Sequence, residues 1–277
     1  MGEPLLPIRS YSQLTQYEEC GEQYRLKRIV RVPEAPAVWF PAGNAFHAVT
    51  EVFDGEALDC GLDIAAAFDW GVSFGPAFSA AIQGLVERGA DPDTSTWRTG
   101  GVGPKRPKGD DISWWLEHGP DMVRAYVDWR VANRDRYEIW VAPDGTPGIE
   151  WEGEAVLGGA RVTARADRIL VDKGTGATII VDLKTGKSTP DNPLQLRIYR
   201  MVIERATAEP MWYGAFYMAR EASLTKPVAL DTTNEQAIEE RFSRLEVGLE
   251  VGVFTPRPGR NCRQCGVKAH CIFAEDS

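Results

Sequence analysis

The run Ile179-Ile180-Val181-Asp182-Leu183-Lys184-Thr185-Gly186 ends an apolar stretch with an acid, one spacer and a lysine. Read as a strand, it puts Asp182 and Lys184 on one face and Leu183 in the opposite layer. A carboxylate there can hold a hard divalent cation. The ammonium beside it can position an attacking water or offset charge on phosphate oxygens. These are the parts needed for metal-assisted hydrolysis of a phosphodiester. The same Asp-x-Lys at an ordinary strand end is a solvated ion pair, so the surrounding residues decide between the two.

Upstream, Arg161 to Asp172 reads as a strand containing Asp167, and Gly174 and Gly176 turn it into the strand carrying Asp182. Two acids then lie on neighbouring strands. Gly43-Asn44-Ala45-Phe46-His47-Ala48-Val49-Thr50-Glu51 has helical character, with His47 and Glu51 four apart on one face. Downstream, Pro193 suits a first helical position after an Asn192 cap, and the helix that follows carries Gln195, Ile198, Tyr199 and Val202 on one side. Gln195 and Tyr199 can reach a substrate or brace the lysine there, or serve only as the polar tips of a half-buried face.

In the order Gly-x3-His, isolated Asp, Asp-x-Lys-Thr-Gly and Gln-x3-Tyr, the chain resembles the PD-(D/E)XK nuclease superfamily, and within it the RecB-like branch. The resemblance implies that His47, Asp167 and Asp182 bind metal together with the backbone carbonyl of Leu183. It also implies that Lys184 is the catalytic lysine, that Gln195 and Tyr199 support the site, and that the cofactor is Mg2+ or Mn2+. The fold implied is α/β, a restriction-endonuclease-like core of mixed sheet flanked by helices.

A second group is independent of the first. Cys262, Cys265 and Cys271 stand within ten residues near the C-terminus, and Cys20 lies near the N-terminus in a segment whose Ser10 and Gln13 have capping-box spacing. If that segment is one helix, Tyr17, Cys20 and Tyr24 share a face. A cysteine tetrad suits zinc or an iron-sulfur cluster, and ligand softness does not separate them. His270 is an alternative zinc ligand, and Cys60 reads as a small buried hydrophobe. The arrangement of one cysteine before the core and Cys-x2-Cys-x5-Cys after it resembles the iron-sulfur nucleases of the RecB-like group, the AddB nuclease domain and the small CRISPR-associated exonucleases among them. That resemblance implies a 4Fe-4S cluster, with zinc the lesser alternative, on Cys20, Cys262, Cys265 and Cys271. Those families often place proline after the first cysteine; Gly21 stands here and is expected to loosen a turn without removing a ligand.

The elements that must position these residues follow from pattern. A single domain over 1–277 is expected, with an insertion or helical subdomain over 54–115, a three- to five-stranded sheet from about Glu150 to Leu230, and a cluster-binding segment over 254–277. Later strands fall at Met211 to Ala219 and Lys226 to Leu230. Thr233 to Val251 reads as an amphipathic helix with Ile238, Phe242, Leu245 and Leu249 buried. Trp97 to Asp111, rich in Gly, Pro and basic residues, reads as an exposed loop or mobile lid.

At 277 residues and 43% hydrophobic, with nine tryptophans, the chain can bury a full core. No apolar run has membrane-spanning length, and Met1 to Pro7 shows no basic leader or apolar signal core. A reduced, cytoplasmic setting is expected, because five cysteines in such a chain argue for ligation before disulfides. A net charge of −9 is unusual for a DNA-binding protein. It is compatible with local basic clusters, of which Arg25, Lys27, Arg28 and Arg31 form one and Lys105, Arg106 and Lys108 another. With no Gly-x4-Gly-Lys-Ser/Thr loop, the chain carries no evident ATP motor. The expected function is a DNA exonuclease acting on single strands or ends in recombination, repair or CRISPR-type processing, alongside a helicase or recombination partner protein. A non-catalytic DNA-end adaptor and a zinc-stabilised interaction module are the alternatives.

Overall fold

One long strand organises the sheet. The computed structural model describes residues 6–104 and 106–274; Lys105 of the second basic cluster and the first residues of the N-terminal reading lie outside the described residues. Strand β4 (Ala160–Asp172) is flanked on one edge by β3 (Ile149–Leu157) and β2 (Tyr137–Ile139), both antiparallel to it. Its other edge is shared by two strands lying end to end. Strand β1 (Ile8–Ser10) pairs in parallel with Arg161–Thr163, and β5 (Ala177–Lys184) pairs antiparallel with Arg168–Asp172. Between them, residues 164–167 have no strand partner on that edge.

Strand β5 continues into β6 (Tyr213–Met218) in parallel, which demands a crossover, and helix α7 (Leu194–Thr207) supplies it. Buried on both faces, β5 reads as an almost unbroken apolar run. Ile179, Val181 and Leu183 face a layer built from α3 (Trp39–Cys60), α5 (Phe74–Glu87) and α6 (Ile112–Ala132). Ile180 faces α7. Helix α8 (Glu235–Glu250) closes that second layer through Ile238, Phe242 and Leu245, while Leu249 packs at its border. The order of the remaining short elements is α1 (Tyr11–Glu19), α2 (Gly21–Tyr24), a π-helical turn Arg25–Val30, α4 (Leu62–Ala65), β7 (Ser223–Leu224) and β8 (Val228–Ala229). Among the described residues no helix is long and apolar enough to cross a membrane.

Several sequence expectations shift. Among the described residues the sheet has eight strands, not three to five, because β1 and β2 are three residues long and β7 and β8 two, too short for alternation to register. The strand expected over Lys226 to Leu230 is only Val228–Ala229, with β7 preceding it. Pro193 is the cap, not the first helical residue; the Asn192 carboxamide oxygen still accepts from the Leu194 N–H at 3.0 Å. Helix α1 stops at Glu19, and Cys20 is extended (φ −163°, ψ 103°), so Tyr17, Cys20 and Tyr24 do not share one helix face. Helix α3 runs without a break through Asp54, and α5 packs along it. Cys60, the last residue of α3, is exposed on the outer side of the helix instead of buried. The Trp97 to Asp111 loop is tied at both ends: Trp97 and Asp110 are buried, and Asp110 takes Arg106, Arg220 and Lys187 as partners.

Gly21 does not loosen its turn. Its N–H donates to Thr255 O at 2.9 Å, and a β-carbon added there would lie 2.7 Å from the Thr255 backbone nitrogen. The glycine lets the C-terminal segment lie directly against the residue after Cys20. Helix propensity alone favours alanine at this position. The close backbone decides the opposite sign: Gly21→Ala is expected to cost about 1–3 kcal/mol by overpacking, read as a lowered urea midpoint, and an unchanged or raised midpoint would refute the contact.

Candidate active site

The ladder between β3 and β4 is interrupted at one place. Ile149 pairs with Arg168 and Trp151 with Ala166, while Glu150 and Asp167 between them do not pair. Ile149 packs into the α3 layer, whereas Trp151, on the same side of a regular strand, packs into the α7 layer. The sheet turns over at this point. Glu150 takes φ 45°, a left-handed conformation that costs a non-glycine residue roughly 1–2 kcal/mol. Such strain persists only where neighbours hold the residue in place. Here Arg165 Nε donates to one Glu150 oxygen at 2.8 Å, while Arg168 Nη1 and His47 Nδ1 approach the other at 3.3 and 3.4 Å.

His47 comes from α3, a helix whose buried Ala45, Phe46, Val49 and Phe53 anchor it to the sheet. Its Nδ1 also lies 3.4 Å from Asp167 Oδ1, and its Nε2 lies 3.2 Å from the carbonyl oxygen of Leu183. The second Asp167 oxygen accepts from the Leu183 N–H at 2.6 Å. One donor atom each from His47, Glu150 and Asp167 falls within 4.8 Å of the others, a set that can hold a metal ion. The mixture of one imidazole and two carboxylates fits Mn2+ or Mg2+.

Asp182 sits beside this trio with its oxygens directed elsewhere. Oδ2 is 2.6 Å from Lys184 Nζ, and Oδ1 accepts from Gln195 Nε2 at 2.7 Å. Gln195 further donates to Tyr199 OH at 3.0 Å and accepts from Lys184 at 3.4 Å. The four residues read from β5 and α7 therefore form one connected chain, and His47, Asp167 and Leu183 converge next to it. Glu150 is the member that sequence reading missed. Glu150, Glu152 and Glu154 look alike in a strand, and no local pattern separates the first of them.

Charge is balanced tightly. Burial disfavours an imidazolium, yet Asp167 and Glu150 outweigh it and push His47 up to about 10. Burial likewise opposes charge on Asp167, but His47 holds it below the usual carboxylate range. For Asp182, burial and the neighbouring Asp167 charge win over Lys184, pushing it up to about 6. Burial raises Tyr199.

Between the end of β1 and α7, over the stretch of β4 that lacks a partner, opens a cavity of about 560 Å3. Ser10, Tyr11, Thr163, Arg165, Gln195 and Tyr199 are among its walls.

Residues 9–272 match the sequence profile of the PD-(D/E)XK nuclease superfamily. The chain belongs to that superfamily. Its members are metal-dependent nucleases, in agreement with the His47, Glu150 and Asp167 group, and the fold is the mixed sheet flanked by helices that such an enzyme needs. The Gene 69 protein of Mycobacterium phage D29 is 32% identical over 276 residues, covering 96% of this chain and 97% of its own. The Gene 69 protein of Mycobacterium phage L5 is 29% identical over 293 residues, with the same coverage. A solved structure described as "Crystal structure of SSO0001" aligns with 98% of this chain and 88% of its own at 12% identity and a TM-score of 0.39.

Beyond the end of α1, cysteines from both ends of the chain come near one another. Cys20, Cys262 and Cys265 line a cavity of about 280 Å3. Each thiol receives one N–H: Arg257 N to Cys20 at 3.5 Å, Gly259 N to Cys262 at 3.4 Å and Gln23 Nε2 to Cys265 at 3.4 Å. Burial raises the Cys271 thiol, with Glu22, Cys20 and Cys265 adding to the effect. His270 is exposed. The basic run beside Cys20 is largely spent on internal pairs, Arg25 with Glu22 and Lys27 with Glu34, while Arg28 donates to Gln16. Arg106 pairs with Asp110 and lies over Trp114.

The raised His47 has a definite sign. Its pairing with Asp167 and Glu150 supports the metal-free fold fully below about pH 6.5 and is lost as pH rises through about 10. Glu150→Gln removes one of the two acids and should lower the His47 ring titration, leaving it above the ordinary imidazole value because Asp167 stays. NMR of the His47 ring measures this, and a titration identical to wild type would remove Glu150 from the group.

Proposed function

We propose that this protein is a DNA exonuclease acting on single-stranded DNA or DNA ends, with Lys184, Asp182, Asp167, Gln195 and Tyr199 as its catalytic set. The observation that carries the reading is the convergence of His47, Glu150 and Asp167 beside the Lys184–Asp182 pair. His47, Glu150 and Asp167 are the groups that would hold Mg2+ or Mn2+, and Asp182 and the Leu183 carbonyl, the remaining ligands that the sequence resemblance implies, lie beside them, with Asp182 turned to Lys184 and Gln195. Once bound, the cation supplies Lewis acidity and a water of lowered pKa.

The chain's own residues do the rest. Asp182 and Gln195 hold the Lys184 ammonium behind Gln195, itself part of the cavity wall, and from there it can orient the attacking water in line with the scissile bond and offset charge on the phosphate oxygens. Tyr199 fixes the Gln195 carboxamide so that its N–H faces Asp182 and its oxygen faces Lys184. The cavity of about 560 Å3 has room for a nucleotide of the strand being cut. A role in recombination, repair or CRISPR-type DNA processing with a helicase or recombination partner protein extends this reading, as does a cytoplasmic location.

Cys20, Cys262, Cys265 and Cys271 are proposed to bind a 4Fe-4S cluster. The N–H donors on three of the thiols suit thiolate ligands of a cluster or of zinc alike, and the spacing of the four cysteines along the chain is what favours the cluster. By this reading the domain spans 1–277, with 54–115 as its helical subdomain and 254–277 as its cluster-binding segment.

End-labelled linear and circular single-stranded DNA, incubated with Mg2+ or Mn2+, test the activity. Cleavage of the linear substrate only is expected, and cutting of circles would replace the exonuclease reading with an endonuclease one. Lys184→Ala and Asp182→Ala should abolish cleavage with melting unchanged; full activity in either would refute the assignment. Cys20→Ser should do the reverse in order of cause. It should bleach iron-sulfur absorption, lower the melting temperature and reduce cleavage as structure is lost, whereas full iron content in that variant would exclude Cys20 as a ligand.

A further inference from the structure

His47, Glu51 and Asp54 follow one face of α3 at intervals of four and three residues, so the helix that delivers the imidazole also sends a carboxylate beneath the site. Asp54 is wholly buried and takes three donors. Arg130 Nε reaches Oδ1 at 2.8 Å, while Tyr126 OH and Arg168 Nε each reach Oδ2 at 2.6 Å. Burial opposes the Asp54 charge, but Arg130 and Arg168 hold the carboxyl below its usual range. The buried group of one acid and two guanidinium ions keeps one positive charge in excess.

Arg168, 1% exposed, carries that excess to the site. Its Nη1 donates to Glu150 Oε1 at 3.3 Å and to the backbone carbonyl of Asp167, the two residues at which the β3–β4 ladder is broken. Arg130 satisfies Asp54 equally well without touching either acid. Ion pairing alone therefore accounts for Arg130 and leaves the reach of Arg168 to Glu150 unexplained.

We propose that Asp54 and Arg168 are a positioning pair. Asp54 fixes the guanidinium, and the guanidinium holds the Glu150 carboxylate and the Asp167 backbone so that His47, Glu150 and Asp167 can accept one divalent cation together. This rests on the reading of those three residues as a cation site. Without Arg168, the Glu150 oxygen that faces the site keeps only His47 as a partner, and the carboxylate is drawn outward by exposed Arg165 on its other oxygen. Groups that orient ligands in this way affect metal affinity about 10- to 100-fold.

Mn2+ binding by the full-length protein, followed by electron paramagnetic resonance, tests the pair without relying on cleavage. Arg168→Lys keeps the charge but loses the second arm, and is expected to weaken Mn2+ binding about tenfold or more. Asp54→Asn, nearly equal in volume, is expected to do likewise and stands as the second variant. Arg130→Lys disturbs the same buried carboxylate from the side away from Glu150 and should leave Mn2+ binding within about twofold even where the melting temperature falls. Wild-type Mn2+ affinity in folded Arg168→Lys, or an equal loss in Arg130→Lys, overturns the positioning role. Mn2+ binding that is indifferent to Glu150→Gln overturns the cation site itself, and with it this proposal; loss in Glu150→Gln with retention in Arg168→Lys overturns the proposal alone.

Discussion

The structure depends on a break in hydrogen bonding along β4. On one edge, residues 164–167 lie between the end of β1 and the start of the β5 pairing, and on the other edge Glu150 and Asp167 fall out of the β3 ladder. A continuous sheet would bury those backbone groups in strand pairs and leave no room for a substrate. The gap supplies both an opening and two acids whose side chains turn out of the regular pleat. Asp167 shows the compensation directly, since its carboxylate takes the Leu183 N–H that a strand partner would otherwise have taken.

Three acids confined to such a small volume need opposing charge. Glu150 meets Arg165 and Arg168, Asp167 meets His47, and Asp182 meets Lys184. The pairing is uneven, and the protonation behaviour reflects this. Asp182 is raised because burial and Asp167 outweigh its lysine, while His47 is raised because two acids surround it. Without a cation, the imidazolium occupies the position of positive charge among the acids. A divalent ion held by the same groups would have to displace that proton, which would couple metal affinity to pH.

The C-terminal cysteine region is held to the N-terminal helices by polypeptide contacts. Tyr17 OH donates to Val253 O at 2.6 Å, Gly21 N to Thr255 O, and Ala35 N to Gly266 O at 2.8 Å. Polypeptide contacts thus bring the two ends of the chain together along α1 and the segment after it. The same short helix begins at Tyr11, in the wall of the cavity next to Gln195 and Tyr199, and ends at Glu19, the residue before Cys20.

Those parts of the fold whose signal is local are legible in the sequence. The apolar run into Asp182 and Lys184 specifies a buried strand ending in charge. The Gln195 and Tyr199 spacing specifies one helix face, the pattern of Ile238, Phe242 and Leu245 specifies α8, and all three appear as read. His47 and Asp167 were legible through their order along the chain. The placement of Glu150, Arg168 and Asp54 is not legible in the sequence, because it arises from the loss of ladder pairing between strands and from a contact spanning 114 residues of sequence. Tertiary structure also decided the short strands β1 and β2, which exist because β4 offers free edges and not because three residues favour extension. Periodicity records which face of an element is buried; it holds no information about where a neighbouring strand ceases to pair, and at that point this chain assembled its site.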